Sequence, residues 1–239
     1  ILKKPVFCFV FFYNKTMNLQ NFQSIKEQLN QFEYETKKRI ELIAVSKKHS
    51  VDKIQYLIRA GQKNFGENYA QEGIEKIKLI NNPGVNWHYI GPIQSNKAAQ
   101  IGTYFDWIHS IDRLKIYQKI KNQAELIDKK INFLIQVNIS GEDTKSGLNI
   151  SNLDDFLINI DTKSSHLIFR GVMAIPSNTD NEVQLSSEFK LMQTIFDNLK
   201  QKFSSVDTLS MGMSNDYLLA LRYGATMVRI GSKIFGDRE

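Results

Sequence analysis

Ile40-Glu41-Leu42-Ile43-Ala44-Val45-Ser46-Lys47-Lys48 is the stretch from which the fold can be read. Leu42 to Val45 is a continuous apolar run, the pattern of a strand covered on both faces in a parallel sheet. The run stops at Ser46 and Lys47, and Ser50-Val51-Asp52 then opens a helix. Ser50 suits its N-cap, and Asp52 suits the positive end of its dipole. Lys47 therefore stands at the carboxyl end of a buried strand, where parallel α/β folds place their chemistry. Taken alone, a lysine there reads first as a solvated loop residue. Its company decides otherwise.

Outward from this stretch the chain alternates without a break. Residues 19–39 predict a helix, with Phe22, Ile25, Leu29 and Phe32 at helical spacing. Strands are predicted at 42–45, 64–66, 87–90, 106–109, 133–139, 167–175, 208–211 and 226–230. Between them lie amphipathic helices; Gly61 is expected to stop one, and Ser95 and Asp112 to cap two others. Eight strand–helix alternations in this length predict a (β/α)8 barrel as a single domain, residues 17–239. No full helix follows the last strand, and the helix at 19–39 is expected to fill that place.

Composition narrows the chemistry. With Cys8 as its single cysteine the chain can form neither an internal disulfide nor a cysteine-based zinc site, and its four histidines show no ligand spacing. We expect no metal. Lys3, Lys4 and Lys15 supply half of the net charge of +6 and no acid precedes Met17, so the remainder is only mildly basic. Without a basic run interleaved with aromatics, nucleic acid is not an expected partner. Residues 1–16 differ from the rest: Lys3-Lys4 precedes the apolar stretch from Pro5 to Tyr13, which is too short to span a membrane and lacks a small-residue cleavage site. We expect 1–16 to be extraneous to the domain and Met17 to be the native start. The alternative is an export or anchoring segment.

The loops that follow strands seven and eight read Ser210-Met211-Gly212-Met213-Ser214-Asn215-Asp216 and Arg229-Ile230-Gly231-Ser232-Lys233-Ile234-Phe235-Gly236. Each joins glycine, which admits close backbone approach, to a serine at the start of a helical turn, where backbone N–H groups favour an anion. Barrel enzymes often hold phosphate between these two loops; the plain alternative is two capped helices. Arg229, near the end of an apolar strand, needs an acceptor, either a protein carboxylate or a ligand atom. A lysine after strand one, a phosphate cup and an arginine suit pyridoxal phosphate: the lysine for a Schiff base, the cup for the phosphate, the arginine for the ring nitrogen.

Longer stretches make the likeness specific: Ala44-Val45-Ser46-Lys47, Phe65-Gly66-Glu67-Asn68-Tyr69, His88-Tyr89-Ile90-Gly91-Pro92-Ile93-Gln94-Ser95-Asn96-Lys97 and Lys145-Ser146-Gly147. Arg170-Gly171-Val172-Met173-Ala174-Ile175, Leu209-Ser210-Met211-Gly212-Met213-Ser214 and Met227-Val228-Arg229-Ile230-Gly231 continue it. From about Met17 onward the chain resembles the pyridoxal-phosphate homeostasis protein family, whose barrel is that of the alanine racemase N-terminal domain. The resemblance implies pyridoxal 5′-phosphate as cofactor and Lys47 as the Schiff-base lysine. It places Ser214, Gly231 and Ser232 around the phosphate, Arg229 at the ring nitrogen, and Asn68 and Met211 along the cofactor. It also implies a cytoplasmic protein of vitamin B6 homeostasis that holds the cofactor without turnover, so we expect no catalytic residues. Apo-enzymes that need the cofactor are the expected partners, no membrane is expected, and we expect a monomer. The alternative is a racemase-like enzyme on the same fold.

The chain departs from the family at Lys48, where threonine is common. Pointing outward it does little; pointing inward it would favour the neutral form of Lys47. Lys145 is either an ordinary loop lysine or a second amine within reach of the cofactor. Trp87 and Trp107 read as packing residues, His88 and His109 as hydrogen-bonded barrel residues, and Asp154-Asp155 as a solvated helix start.

Overall fold

Among the described residues nine strands are seen: Glu41–Val45 (β1), Asn64–Glu67 (β2), Asn86–Tyr89 (β3), Trp107–Ile111 (β4), Ile131–Asn138 (β5), Leu148–Asn149 (β6), Leu167–Ala174 (β7), Thr208–Ser210 (β8) and Met227–Ile230 (β9). The structure, a computed structural model, describes residues 19–142 and 145–236, so the expectation for 1–16 lies outside the described residues. Every strand pairing is parallel; the order runs β4-β3-β2-β1-β9-β8-β7-β5, and β4 pairs with β5 to close the barrel. The fold is the predicted (β/α)8 barrel. A two-residue strand absent from the sequence expectation, β6, adds to β5 beyond the stave order, with Val137 opposite Leu148.

The helices are Leu19–Thr36 (α1), Val51–Arg59 (α2), Ala70–Ile80 (α3), Ala98–Tyr104 (α4), Leu114–Leu126 (α5), Leu153–Ile158 (α6), Glu182–Lys202 (α7), Tyr217–Arg222 (α8) and Ser232–Phe235 (α9). α2 to α8 lie between successive staves because a parallel connection must cross back over the sheet. Their apolar stripes, such as Phe189, Met192, Phe196 and Leu199 of α7, are buried against the barrel. α1 buries Phe22, Ile25 and Leu29 and packs against α9, so it covers the wall beside the one-turn helix that follows β9. It ends at Thr36, short of the expected Arg39, because Lys37 takes a left-handed conformation at φ 57°. Among the described residues no helix is long and apolar enough to cross a membrane.

Local signals differ in how the fold uses them. Ser50 accepts from Lys53 N as an N-cap should, and Gly61 follows α2 at φ 88°. Ser95 and Asp112 do not cap their helices: the Ser95 hydroxyl is buried without a hydrogen-bond partner, and Asp112 pairs with Arg113 at 2.8 Å. One residue of β7, Arg170, has no partner in the β5 register, since Phe133 faces Phe169 and Leu134 faces Gly171. That bulge needs Gly171: φ is 138°, and a Cβ there would lie 2.0 Å from Thr208 O.

Candidate functional site

Lys47 emerges in the turn that follows β1, and a buried polar cluster holds that turn. Glu67, the last residue of β2, is inaccessible to solvent and accepts from Ser46 Oγ at 2.6 Å and from Lys76 Nζ at 2.8 Å. The Lys76 ammonium, carried on α3 and itself buried, also reaches Ser46 O and Glu72 Oε1, each at 2.6 Å. Glu72 in turn accepts from the backbone N–H of Lys48. Burial pushes the Glu67 carboxyl up, and Lys76 and Ser46 pull it back down. One lysine thus ties two carboxylates and the Ser46 carbonyl into the shape of the Lys47 turn.

Lys47 is half-buried and borders a cleft of about 1030 Å³ at the carboxyl ends of the staves. Lys48, at φ 62°, points away: it is exposed, with its ammonium 6.0 Å from the Tyr69 ring. The outward alternative holds for it. His49 returns to the cleft and stacks on Phe235 of α9, with ring centroids 4.7 Å apart and planes within 14°. Sequence reasoning passed over His49; its only signal was its position two residues after Lys47.

Asn68 lies beyond β2, against the loop that follows β3. A Cβ on Gly91 would meet Asn68 O at 2.1 Å and Asn68 Cα at 2.7 Å, so glycine is what lets the two loops touch. Asn68 Oδ1 is buried, lacks a hydrogen-bond partner, and belongs to a residue that lines the cleft. An orphaned buried acceptor costs free energy unless something fills it.

The opposite wall comes from the last two staves. Ser232 opens α9 and donates from its hydroxyl to Ser214 Oγ at 3.1 Å, joining the two loops singled out in the sequence. Gly231 sits where a Cβ would meet Val45 O at 3.3 Å, so its lack of a side chain brings the end of β9 against β1. Arg229 is buried and donates Nη1 to Ser210 Oγ at 2.7 Å and Nη2 to Ala174 O at 2.9 Å. Both acceptors are neutral protein oxygens rather than the expected carboxylate or ligand atom. Burial lowers its pKa to about 10, with Asp216 opposing that shift, so it stays protonated at neutral pH. Asp216, also on the cleft wall, is pushed up by burial, while the Met213 N–H, Arg229 and Lys233 pull it down.

Six of the seven expected residues, Lys47, Asn68, Ser214, Arg229, Gly231 and Ser232, meet on this one cleft. Met211 does not reach it. Ser210 points into the barrel, so the next residue turns to the other face, and Met211 is fully buried in the apolar layer. Lys145 also borders the cleft, its ammonium held by Glu142 at 2.7 Å and by Pro176 O at 3.3 Å. The loop that follows β7, residues 175–181, and the first turn of α7 form a further part of the rim that was not foreseen. The loop is anchored where Ser177 donates its N–H and hydroxyl to the buried Glu188 of α7, at 2.7 and 2.5 Å.

Comparison with known proteins places the chain in a family and a fold. Residues 20–239 match the family model for the alanine racemase N-terminal domain. The pyridoxal phosphate homeostasis protein of Pasteurella multocida is 41% identical over 227 residues, covering 92% of this chain and 97% of its own. That of Escherichia coli is 43% identical over 203 residues, 84% of this chain and 86% of its own. PipY of Synechococcus elongatus, solved with PLP bound, superposes with a TM-score of 0.80 at 31% identity, covering 91% of this chain and 99% of PipY. An alanine racemase of Clostridium difficile shares the fold at 17% identity and a TM-score of 0.66, with 91% of this chain matched to 56% of that one.

Proposed function

The chain belongs to the pyridoxal phosphate homeostasis protein family and carries the alanine racemase N-terminal domain, and we propose that it binds pyridoxal 5′-phosphate in this cleft and holds it for vitamin B6 homeostasis. The observation that carries the reading is that an amine, a pair of hydroxyls and a buried guanidinium border one cleft. That donor set fits the group. Ser214 and Ser232, with the glycine-bared backbone at Gly231, would take the phosphate. Arg229 would meet the ring nitrogen, and Asn68, whose Oδ1 lacks a partner, would take a donor from the ligand. Pyridoxal phosphate supplies an aldehyde that amines capture reversibly and a ring that withdraws electrons.

The chain's own residues argue for holding rather than turnover. Arg229 can only donate, so a pyridine nitrogen meeting it keeps its lone pair as acceptor and the ring is the weaker electron sink. Lys47 is the amine that would retain the aldehyde, and the Lys76 cluster fixes its turn. The reading extends to a cytoplasmic monomer that passes the cofactor to apo-enzymes; the names of its relatives support the homeostatic role. The test is to add pyridoxal phosphate to the purified chain, reduce with borohydride and map the peptides. The pyridoxyl group is expected on Lys47; finding it on Lys48, Lys97 or Lys145, or nowhere, overturns the assignment. Loss of the α-proton from amino acids in deuterated water is expected to be slow or absent, and rapid exchange favours the racemase-like alternative.

A further inference from the structure

The barrel interior holds a line of polar groups that the cleft chemistry above does not use. It begins at the amino end with Glu41, whose carboxylate pairs with Arg39 at 2.7 Å and accepts from Asn64 Nδ2 at 2.8 Å. A carboxylate paired in this way only accepts. The amide oxygen of Asn64 therefore faces inward, where it also accepts from Asn86 Nδ2 at 2.9 Å. It lies 3.3 Å from His88 Nε2, so that nitrogen carries the proton. His88 is buried, and desolvation lowers its pKa to about 3, so the ring is neutral and Nδ1 is a lone pair. Nδ1 is 3.0 Å from His109 Nε2, which must then carry a proton too. Burial, with the positive charge of Arg229 adding to it, holds His109 well below the ordinary histidine range. Its Nδ1 is thus also a lone pair, 3.1 Å from Ser210 Oγ. The Ser210 hydroxyl donates there, and its oxygen is left to accept from Arg229 Nη1.

Each step follows from the one before it. We propose that Arg229, Ser210, His109, His88, Asn64 and Glu41 form a one-way hydrogen-bond chain along the barrel, in which His88 and His109 are positioning residues that hold Ser210 as the acceptor for Arg229. The proposal rests on the reading of Arg229 as the ring-nitrogen donor. With the chain reversed, Ser210 would face two donors, from His109 and from Arg229, and its own proton would have no acceptor in a fully buried place. The forward direction keeps the guanidinium on Ser210 and on Ala174 O, and its other N–H groups stay available to the cleft. The stacking of Trp107 on His88, at 5.6 Å and 15°, fixes the ring plane that the chain requires.

The direction of the hydrogen bonds can be measured. Long-range 1H–15N correlation on the full cofactor-free chain at neutral pH is expected to show His88 and His109 both neutral with the proton on Nε2. A proton on Nδ1 of either ring, or a charged ring, overturns the proposal whether or not the protein binds pyridoxal phosphate. Glu41→Lys, at the accessible end, puts a donor where the acceptor stood. It is expected to loosen the Asn64 amide while the Arg229–Ser210 end keeps both rings in the Nε2–H form, and a move of either ring to Nδ1–H in a folded variant overturns the claim that Ser210 must donate to His109. For the positioning role, His109→Leu removes the acceptor for Ser210, whereas His109→Asn restores an acceptor near the Nδ1 position. His109→Leu is expected to weaken pyridoxal phosphate binding ~10-fold relative to His109→Asn. Equal affinity of these two overturns the positioning role. Failure of the wild-type chain to bind the cofactor refutes the proposed function instead, and the tautomer measurement then still decides the chain.

Discussion

Acidification is expected to destabilise this protein through the centre of its barrel. His88 is neutral in the folded state with a pKa of about 3, against 6.5 for an ordinary histidine, and desolvation is the cause. A folded-state pKa below the unfolded value means that the unfolded chain binds the proton first. The associated stability is then complete above pH 6.5 and is lost as pH falls toward 3. At 1.36 kcal/mol per pKa unit, His88 alone costs about 3 kcal/mol by pH 4.5 and about 4 by pH 3. His109 shifts the same way and steepens the loss. Glu67, Asp112 and Asp216 oppose it, because burial raises their folded-state pKa values and their contribution grows as pH falls. The net slope therefore mixes signs, and a variant isolates the histidine. Urea unfolding followed by tryptophan fluorescence should be run from pH 7.5 to 4.5 on the cofactor-free wild type and on His88→Asn. The wild type is expected to lose about 1.4 kcal/mol more per pH unit below pH 6 than the variant. Equal slopes in the two proteins would refute the reasoning.

Three further outcomes are expected. Gly91→Ala drives a Cβ into the Asn68 backbone, so about 1–3 kcal/mol of stability is lost and pyridoxal phosphate binds more weakly; thermal melting and a binding titration together check this. Lys76→Met leaves the buried Glu67 carboxylate uncompensated and costs about 3–5 kcal/mol, and adding Glu67→Leu should recover part of it. Urea midpoints of the single and double variants decide, and no recovery would count against the ion pair. Ser232→Glu sets a carboxylate in the proposed phosphate cup and should abolish retention of added pyridoxal phosphate on dialysis, while Lys48→Thr, outside the cleft, should leave retention unchanged.

The sequence alone determined the alternation and its punctuation. Leu42 to Val45, Phe133 to Val137 and the stripe of α7 are local patterns whose period reports how each segment is covered. A lysine after the first stave, two glycine–serine turns after the last two and an arginine ending the last strand are likewise local, so Lys47, Ser214, Arg229, Gly231 and Ser232 are legible in the order of the chain, whereas Asn68 came only through the family resemblance. Closure of the sheet decided what those residues meet. Ser210 and His109 lie 101 positions apart and touch only because β4 and β8 face each other across the barrel. Lys76 was one of many lysines until α3 laid it under the Lys47 turn, and Glu182–Lys202 gave no sign that Glu188 would anchor the loop that follows β7. Met211 shows the limit most plainly. Its motif placed it at the site, but strand alternation permits one face per residue, and with Ser210 inside the barrel Met211 had to turn outward into the apolar layer. Period along the chain is written in neighbours; register across the barrel is set by packing among residues far apart in sequence, and only the folded chain contains it.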